Sequence, residues 1–144
     1  MAKTVREAMT QNPRSVGPSD SVADAARVLK DENVGSVPVV EGDRPVGMLT
    51  DRDIVTRVVA EGRDPNSTSV KDVASGKVVM AESGTDLDDA LQLMAQHQVR
   101  RLPVVEEGRL VGILAQADVA EIVGDKQTGR LVEAISEPPP RELR

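Results

Sequence analysis

The stretch 37–53, VPVVEGDRPVGMLTDRD, recurs 65 residues later at 102–118 as LPVVEEGRLVGILAQAD. The two copies align without a gap, so that Asp53 falls on Asp118. An internal duplication of this kind indicates that one structural unit occurs twice in the chain. Two similar halves usually pack about an approximate two-fold axis, and we therefore expect two equivalent clefts between them, where function is to be sought.

Each copy has a pattern typical of strand, helix, strand, strand and helix. Apolar residues at helical spacing follow Asp20 in the first copy and Thr85 in the second, which we take as the helix caps. Two β-branched runs separated by a Gly-containing turn then predict a hairpin. The turns are expected at Gly42–Asp43 and Glu107–Gly108, and the second helices near Asp51 and Gln116.

The predicted fold class is α/β, with the order β-α-β-β-α occurring twice. We place the first repeat at 4–60 and the second at 70–123. Residues 61–69 are polar and rich in turn formers, which is typical of a surface linker. Residues 124–144 are expected to form a short helix at Leu131–Ile135 and a disordered tail, because the prolines at 138–140 cannot continue a helix.

The composition excludes several classes of function. The 144 residues contain no cysteine, no Phe, Tyr or Trp, and one histidine, and the net charge is −6. These features argue against thiolate metal sites, cysteine catalysis and nucleic-acid binding. No nucleophile motif is present, so an enzyme is not expected. His97 near a helix carboxyl end is interpreted as structural. Without a long apolar run or a signal peptide, we expect a cytoplasmic protein that does not bind a membrane.

The motifs GMLTDRDI and GILAQADV, preceded by VGSVPVV and VRRLPVV, resemble the CBS domain. Two such repeats in tandem resemble the CBS pair, or Bateman module, over about residues 4–123. Among stand-alone pairs, the stretches GMLTDRDIV, GRDPN and HQVRR are most similar to the bacterial hypoxic-response group. The resemblance implies two repeats related by a pseudo-two-fold axis, with ligand clefts between them.

In CBS pairs, a T/S-x-x-D motif at the second helix holds an adenosine ribose through the Asp, and the hydroxyl reaches a phosphate. The resemblance places this motif at Thr50, Asp51, Arg52 and Asp53, facing Val78 and Val79 for the base and Arg100 and Arg101 for phosphates. A helix amino terminus suits an anion, and a carboxylate suits ribose hydroxyls. The residues alone also permit a capping box at the motif, and a solvated strand edge in which the arginines pair with Glu106 or Glu107.

The second cleft departs from this pattern. Asp118 is present, but Ala115 replaces the hydroxyl, and the facing residues are small and uncharged. An uncharged nucleoside is more plausible there than a nucleotide, and a structural relic is the alternative. The residues expected around this weaker cleft are Gly35, Ser36, Val37, Ala115 and Asp118.

Two functions follow from this reading. The first is a non-catalytic sensor that binds AMP, ADP or ATP as a regulatory ligand, requires no cofactor or metal, and signals to a separate effector protein. The second is a ligand-free dimeric scaffold for a stress response or for protein interaction. Both include a homodimer, because the apolar stripe of the second helix needs cover beyond its own sheet. The stripe consists of Ile54, Val55, Val58 and Val59.

Overall fold

The computed structural model describes residues 3–123, which form two compact units. Unit 1 contains residues 3–11, Val79–Glu106 and 111–123, and unit 2 contains Asn12–Val78 and Glu107–Leu110. The predicted helix at Leu131–Ile135 and the predicted tail lie outside the described residues. Within 3–123, no helix is both long enough and apolar enough to cross a bilayer.

Unit 1 is built on a four-stranded sheet with the order β1 (Thr10–Gln11), β6 (Arg109–Ala115), β5 (Arg101–Glu106) and β4 (Ala81–Glu82). Strand β1 runs antiparallel to β6, and β4 runs parallel to β5. Buried Leu87 and Met94 of the long helix pack in one core with Leu102 and Leu114 of the sheet. The elements are α1 (Val5–Ala8), β1 (Thr10–Gln11), β4 (Ala81–Glu82), α4 (Leu87–His97), β5 (Arg101–Glu106), β6 (Arg109–Ala115) and α5 (Gln116–Val123).

Unit 2 repeats this plan with a smaller sheet, in which two antiparallel strands form a hairpin. The strand expected before its long helix is reduced to a single parallel bridge between Val16 and Val39. This bridge is the counterpart of β4. The elements are α2 (Val22–Glu32), β2 (Ser36–Glu41), β3 (Arg44–Thr50), α3 (Asp51–Ile54), a π-helical turn at Val55–Val59 and a 3₁₀ turn at Val70–Asp72.

The caps of the long helices lie one residue later than expected. Ser21 caps α2 and accepts a hydrogen bond from a backbone N–H of the first turn, whereas the carboxylate of Asp20 accepts from the N–H of Gly17. Helix α4 is capped by Asp86, not Thr85, and makes no side-chain cap bond. Sequence spacing could not separate the neighbouring candidates, because each has a side chain able to cap.

The hairpin predictions are confirmed, with turns at Gly42–Asp43 and Glu107–Gly108. All four turn residues have positive φ, between 52° and 80°. Turns with two such residues match the twist of antiparallel strands. The tip of the second hairpin belongs to unit 2, where the N–H of Leu110 donates to the carbonyl of Asp43 over 2.8 Å.

The segment that opens each sequence repeat packs in the unit that contains the other repeat. The first segment, residues 3–11, lies in unit 1, where the N–H of Arg6 donates to the carbonyl of Ser83 over 3.0 Å. The second, residues 68–75, lies in unit 2, where the N–H of Lys71 donates to the carbonyl of Pro18 over 2.9 Å. Each packing unit therefore contains residues of both sequence repeats, which were placed at 4–60 and 70–123.

Candidate functional site

The start of α3 is held by a reciprocal pair of hydrogen bonds between Thr50 and Asp53. The N–H of Asp53 donates to the Thr50 hydroxyl, and the N–H of Thr50 donates to the Asp53 carboxylate, each over 3.0 Å. Both residues are half-buried. The capping-box alternative is therefore confirmed, and both side chains serve the helix start.

This cap does not use all the acceptor capacity of the Asp53 carboxylate. The bond from Thr50 is made to Oδ2, and within residues 3–123 Oδ1 makes no hydrogen bond. A carboxylate has about four lone-pair positions, so Asp53 can accept further hydrogen bonds while it caps the helix. Asp51 and Arg52 are exposed beside it, and the Asp51 carboxylate accepts from the N–H of Arg52 over 2.8 Å. The capping role and a ligand-binding role are compatible at Asp53.

The helix continues from α3 as a π-helical turn, which the sequence analysis did not predict. Val58 is fully buried in the core of unit 2, whereas Val55 is 57% exposed and Val59 is 66% exposed. Ile54 packs half-buried against that same core. Ile54 and Val58 of the predicted apolar stripe are thus covered by unit 2 itself, whereas Val55 and Val59 are not. π-Turns are frequent at functional sites, although no residue pattern distinguishes them in a short helix.

The structure brings together residues that the sequence analysis assigned to different clefts. In unit 2, the N–H of Asp51 donates to the carbonyl of Gly35 over 2.9 Å, and Ser36 pairs with Thr50 in the hairpin. Val37 has its side chain in the core, where it is 2% exposed, so it offers no side-chain contact to a ligand.

Unit 1 has the equivalent corner with different side chains. The N–H of Ala115 donates to the Asp118 carboxylate over 3.0 Å, as the N–H of Thr50 does in unit 2. Ala115 has no hydroxyl, so the second half of the capping box cannot form. The carbonyl of Arg100 accepts from the N–H of Gln116 over 2.9 Å, which places this arginine beside the start of α5.

Arg100 is exposed and Arg101 is half-buried at the start of β5. In the described part of the chain neither makes an ion pair, and Glu106 pairs instead with Arg6. The predicted pairing of the arginines with Glu106 or Glu107 is thus absent from residues 3–123, whereas the exposure of Arg100 is compatible with a solvated strand edge. Both guanidinium groups retain their donors, in a geometry that suits a phosphate or carboxylate.

The valines proposed to clamp a base, Val78 and Val79, lie in a segment without regular secondary structure. Both are half-buried, and Val79 packs against the core of unit 1. Val78 belongs to unit 2. Val79 therefore has a structural role in the core of unit 1 beside any contact with a base.

A polar cluster of Arg6, Ser83 and Glu106 in unit 1 was missed by the sequence analysis. The Arg6 guanidinium donates to the Ser83 hydroxyl over 3.0 Å and to the Glu106 carboxylate, and the Ser83 hydroxyl donates to that carboxylate over 2.8 Å. The hydrogen bond from Ser83, followed by that from Arg6 and its charge, lowers the pKa of Glu106. Arg6 is 77 positions from Ser83 and 100 positions from Glu106, so local sequence spacing gives no signal for this cluster.

His97 ends helix α4, as predicted, and is exposed. Residues 3–123 contain no group of three or more His, Cys, Asp or Glu side chains able to hold a metal ion.

The family model for the CBS domain matches residues 5–60 and 70–125. The chain is 47% identical over 117 residues to the CBS domain-containing protein YhcV of Bacillus subtilis, which covers 81% of this chain and 83% of the relative. It is 35% identical over 136 residues to Hypoxic response protein 1 of Mycobacterium tuberculosis, covering 94% and 95% of the two chains.

Solved structures agree with these relatives. The crystal structure of Hypoxic Response Protein I with two coordinated zinc ions superposes with a TM-score of 0.78 at 36% identity, over 84% of this chain and 99% of that one. Its zinc ions belong to that protein.

A hexameric CBS-CP12 protein from bloom-forming cyanobacteria superposes with a TM-score of 0.72 at 30% identity, over 87% of this chain and 70% of that one. Together, the duplicated hairpin and helix, the paired helix starts and these matches show that the chain belongs to the CBS domain family and carries two copies of the domain.

Proposed function

We propose that this protein is a non-catalytic, cytoplasmic regulatory module that binds an adenine nucleotide, AMP, ADP or ATP, or a related adenosyl ligand. CBS pairs are regulatory and often bind adenosyl ligands. The observation that carries the proposal for this chain is the Asp53 carboxylate. It is fixed by the bond from Thr50, half-buried, and still has acceptor capacity on Oδ1.

The ribose is assigned to Asp53 because a carboxylate can accept hydrogen bonds from both hydroxyls of a ribose ring. Thr50 is assigned to the nearest phosphate, since its hydroxyl accepts from the N–H of Asp53 and still has its own O–H to donate. Asp51 and Arg52, exposed beside them, complete the set in unit 2.

The resemblance to CBS pairs assigns the remaining phosphate contacts to Arg100 and Arg101, whose guanidinium groups take part in no described ion pair. Val78 and Val79 are assigned to the base, since both are half-buried aliphatic residues. The equivalent motif in unit 1 is weaker, because Ala115 supplies no hydroxyl beside Asp118. We therefore assign one nucleotide to each chain.

Such a ligand regulates only if it binds one conformation of the protein more tightly than another. The conformation favoured by the ligand is then the one presented to a separate effector protein. The proposal requires no bound metal and no covalent step.

Calorimetric titration of the purified chain with AMP, ATP and adenosine tests the proposal. The expected result is one site per chain. Asp53→Ala is expected to lower the affinity for every adenosyl ligand by at least about tenfold, since hydrogen bonds to a charged group contribute about 1.5–3 kcal/mol. Asp118→Ala is the matched control and is expected to leave nucleotide affinity nearly unchanged. If Asp118→Ala abolishes binding and Asp53→Ala does not, the motif has been assigned to the wrong repeat.

The second candidate function is a ligand-free, self-associating scaffold for a stress response or for protein interaction. It is favoured by the exposed pair Val55 and Val59, and by the capping box, which gives Thr50 and Asp53 a role without a ligand. The hexameric CBS-CP12 protein shows that a similar chain self-associates. Mass spectrometry of the supernatant from denatured protein, purified directly from cells, separates the two functions. A co-purified nucleotide supports the sensor, whereas its absence, together with no binding by titration, supports the scaffold.

A further inference from the structure

Residues 73–78 of unit 2 lead from the end of the 3₁₀ turn to Val78, the valine of that unit assigned to the base. Val73 ends the turn and is fully buried. Two residues further on, Ser75 exchanges two backbone hydrogen bonds of 3.0 Å with Met48 of β3. This pair is the first anchor of the backbone that leads to Val78.

A second anchor comes from a side chain of the π-helical turn. The Arg57 guanidinium donates to the carbonyl of Val73 over 2.8 Å, from a position 16 residues earlier in the chain. Arg57 makes no ion pair within residues 3–123. A guanidinium that bonds a main-chain carbonyl fixes the path of the backbone to which that carbonyl belongs. Arg57 therefore tethers the start of residues 73–78 to the helix.

The two anchors lie on either side of the carboxylate assigned to the ribose. Met48 lies on β3 five residues before Asp53, and Arg57 lies four residues after it, about one turn further along the helix. The strand and the helix that position Asp53 thus also hold the backbone that leads to Val78.

The other repeat lacks this tether. Position 122, the equivalent of Arg57, is an isoleucine, a residue type without a hydrogen-bond donor in its side chain. The same repeat has Ala115 in place of the Thr50 hydroxyl. The tether therefore accompanies the complete motif and is absent where the motif is incomplete.

We propose that Arg57 is a positioning residue that sets the affinity of this protein for the base of its ligand, an inference that rests on the proposed function. A ribose on Asp53 and a base on Val78 are bound together only if the two residues keep a fixed separation. The bond from Arg57 to the Val73 carbonyl maintains that separation. Without this bond, residues 73–78 have more conformational freedom, and binding the base must first order them, which lowers the affinity.

Calorimetric titration with AMP and with ribose 5-phosphate tests the role at the base, since the second ligand has the ribose and the phosphate but no base. Arg57→Met removes the donors and keeps an unbranched side chain. It is expected to lower the affinity for AMP by about three- to tenfold and to leave that for ribose 5-phosphate unchanged. Equal losses for the two ligands would assign Arg57 to the helix start alone. Either that result or an unchanged affinity for AMP would overturn the proposal.

Arg63→Met is the matched control, because it removes the same charge from the same unit. Arg63 is exposed, and its side chain makes no hydrogen bond or ion pair within residues 3–123. The variant is expected to leave both affinities unchanged. A loss of AMP affinity in Arg63→Met equal to that in Arg57→Met would assign the effect to net charge and contradict the tether.

Hydrogen exchange of the ligand-free protein, followed by NMR, tests the tether separately from the proposed function. The N–H groups of Ser75 and Lys77 are both hydrogen-bonded and report on residues 73–78. Arg57→Met is expected to speed their exchange by about three- to tenfold, while the N–H of Val22, elsewhere in unit 2, keeps its rate. Unchanged exchange at Ser75 and Lys77 would overturn the tether.

The two measurements also distinguish a failure of the proposed function from a failure of the tether. If the unmodified protein binds neither AMP nor ribose 5-phosphate, the proposed function is wrong and the role of Arg57 at the base falls with it. Faster exchange in Arg57→Met would then still show that Arg57 holds residues 73–78. If the unmodified protein binds AMP and exchange is unchanged in Arg57→Met, the proposed function stands and the tether is wrong.

Discussion

The backbone of Ser75 lies so close to Gly47 that a Cβ at Gly47 would be 2.5 Å from the Ser75 carbonyl oxygen. The neighbouring residue, Met48, exchanges two backbone hydrogen bonds of 3.0 Å with Ser75. Gly47 is thus required because the segment that opens the second repeat runs against β3. Gly112, at the same position of the other repeat, is approached by Met9 and by the carbonyl of Thr10.

Gly47→Ala is expected to lower the free energy of unfolding by about 1–3 kcal/mol, because backbone must shift to make room for the methyl group. Gly84→Ala is the control, since a Cβ at that position meets no atom within 4 Å. Its effect should stay within about 0.5 kcal/mol. Urea unfolding followed by circular dichroism measures both, as the chain has no aromatic residue to report by fluorescence. Equal effects of the two variants would contradict the close approach.

The start of α5 has only one of the two capping-box hydrogen bonds, because Ala115 stands where Thr50 stands in the other repeat. Removing the hydroxyl from Thr50 and adding one at position 115 are therefore expected to change the free energy of unfolding in opposite directions. Thr50→Ala should destabilise the protein by about 0.5–2 kcal/mol, because it removes the hydroxyl that accepts from the N–H of Asp53. Ala115→Thr should stabilise it by up to about 1 kcal/mol, because the bond from Ala115 to Asp118 already has the matching geometry. Thermal unfolding by circular dichroism measures both. A destabilising Ala115→Thr would show that the half-buried site cannot accommodate the larger side chain.

Charge at the start of β5 predicts how the nucleotide is discriminated from the nucleoside. Replacing both Arg100 and Arg101 with Ala should lower the binding affinity for AMP and ATP by at least about tenfold, because guanidinium–phosphate hydrogen bonds are charge-assisted. Adenosine affinity should change little, since the nucleoside has no phosphate. Calorimetric titration compares the three ligands. Equal losses for adenosine and ATP would assign these arginines a structural role.

Acid is expected to remove the contribution of Glu106 to stability. The bond from Ser83 and the bond and charge of Arg6 lower the pKa of Glu106 in the folded protein below its ordinary value of 4.5. Its stabilising contribution is therefore present above that ordinary value and is lost as pH falls through the folded pKa. The difference in melting temperature between the unmodified protein and Glu106→Gln should shrink between pH 6 and pH 3. A difference that stays constant over this range would contradict the linkage.

Self-association through the exposed face of the π-turn predicts that Val59→Glu shifts the protein toward the monomer. Val59 is 66% exposed, and burying an introduced carboxylate in an interface without a partner is costly. Val46→Glu is the control, because Val46 is 41% exposed on β3 of the same unit. Light scattering at several concentrations gives the mass of each variant. Loss of association in Val46→Glu alone would move the interface to the sheet.

The sequence alone determined the two hairpins and the two helices that follow them. Their signals are local: paired β-branched runs, a Gly-containing turn, and a polar cap at Thr50 or an Asp at the first helical turn. The repeat strengthened each signal, because an equivalent position supported it 65 residues away. The caps of α2 and α4 were misplaced by one residue, since adjacent polar residues there have similar capping ability.

The tertiary structure alone decided which segments pack together. Local patterns place residues 3–11 with the repeat that follows them, but hydrogen bonds to Ser83 and Thr85 and burial of Val5 fasten them to unit 1. The Arg6, Ser83 and Glu106 cluster and the close approach at Gly47 follow from that exchange. Such contacts depend on the path of the backbone, which joins residues up to 100 positions apart, and no local spacing encodes that path.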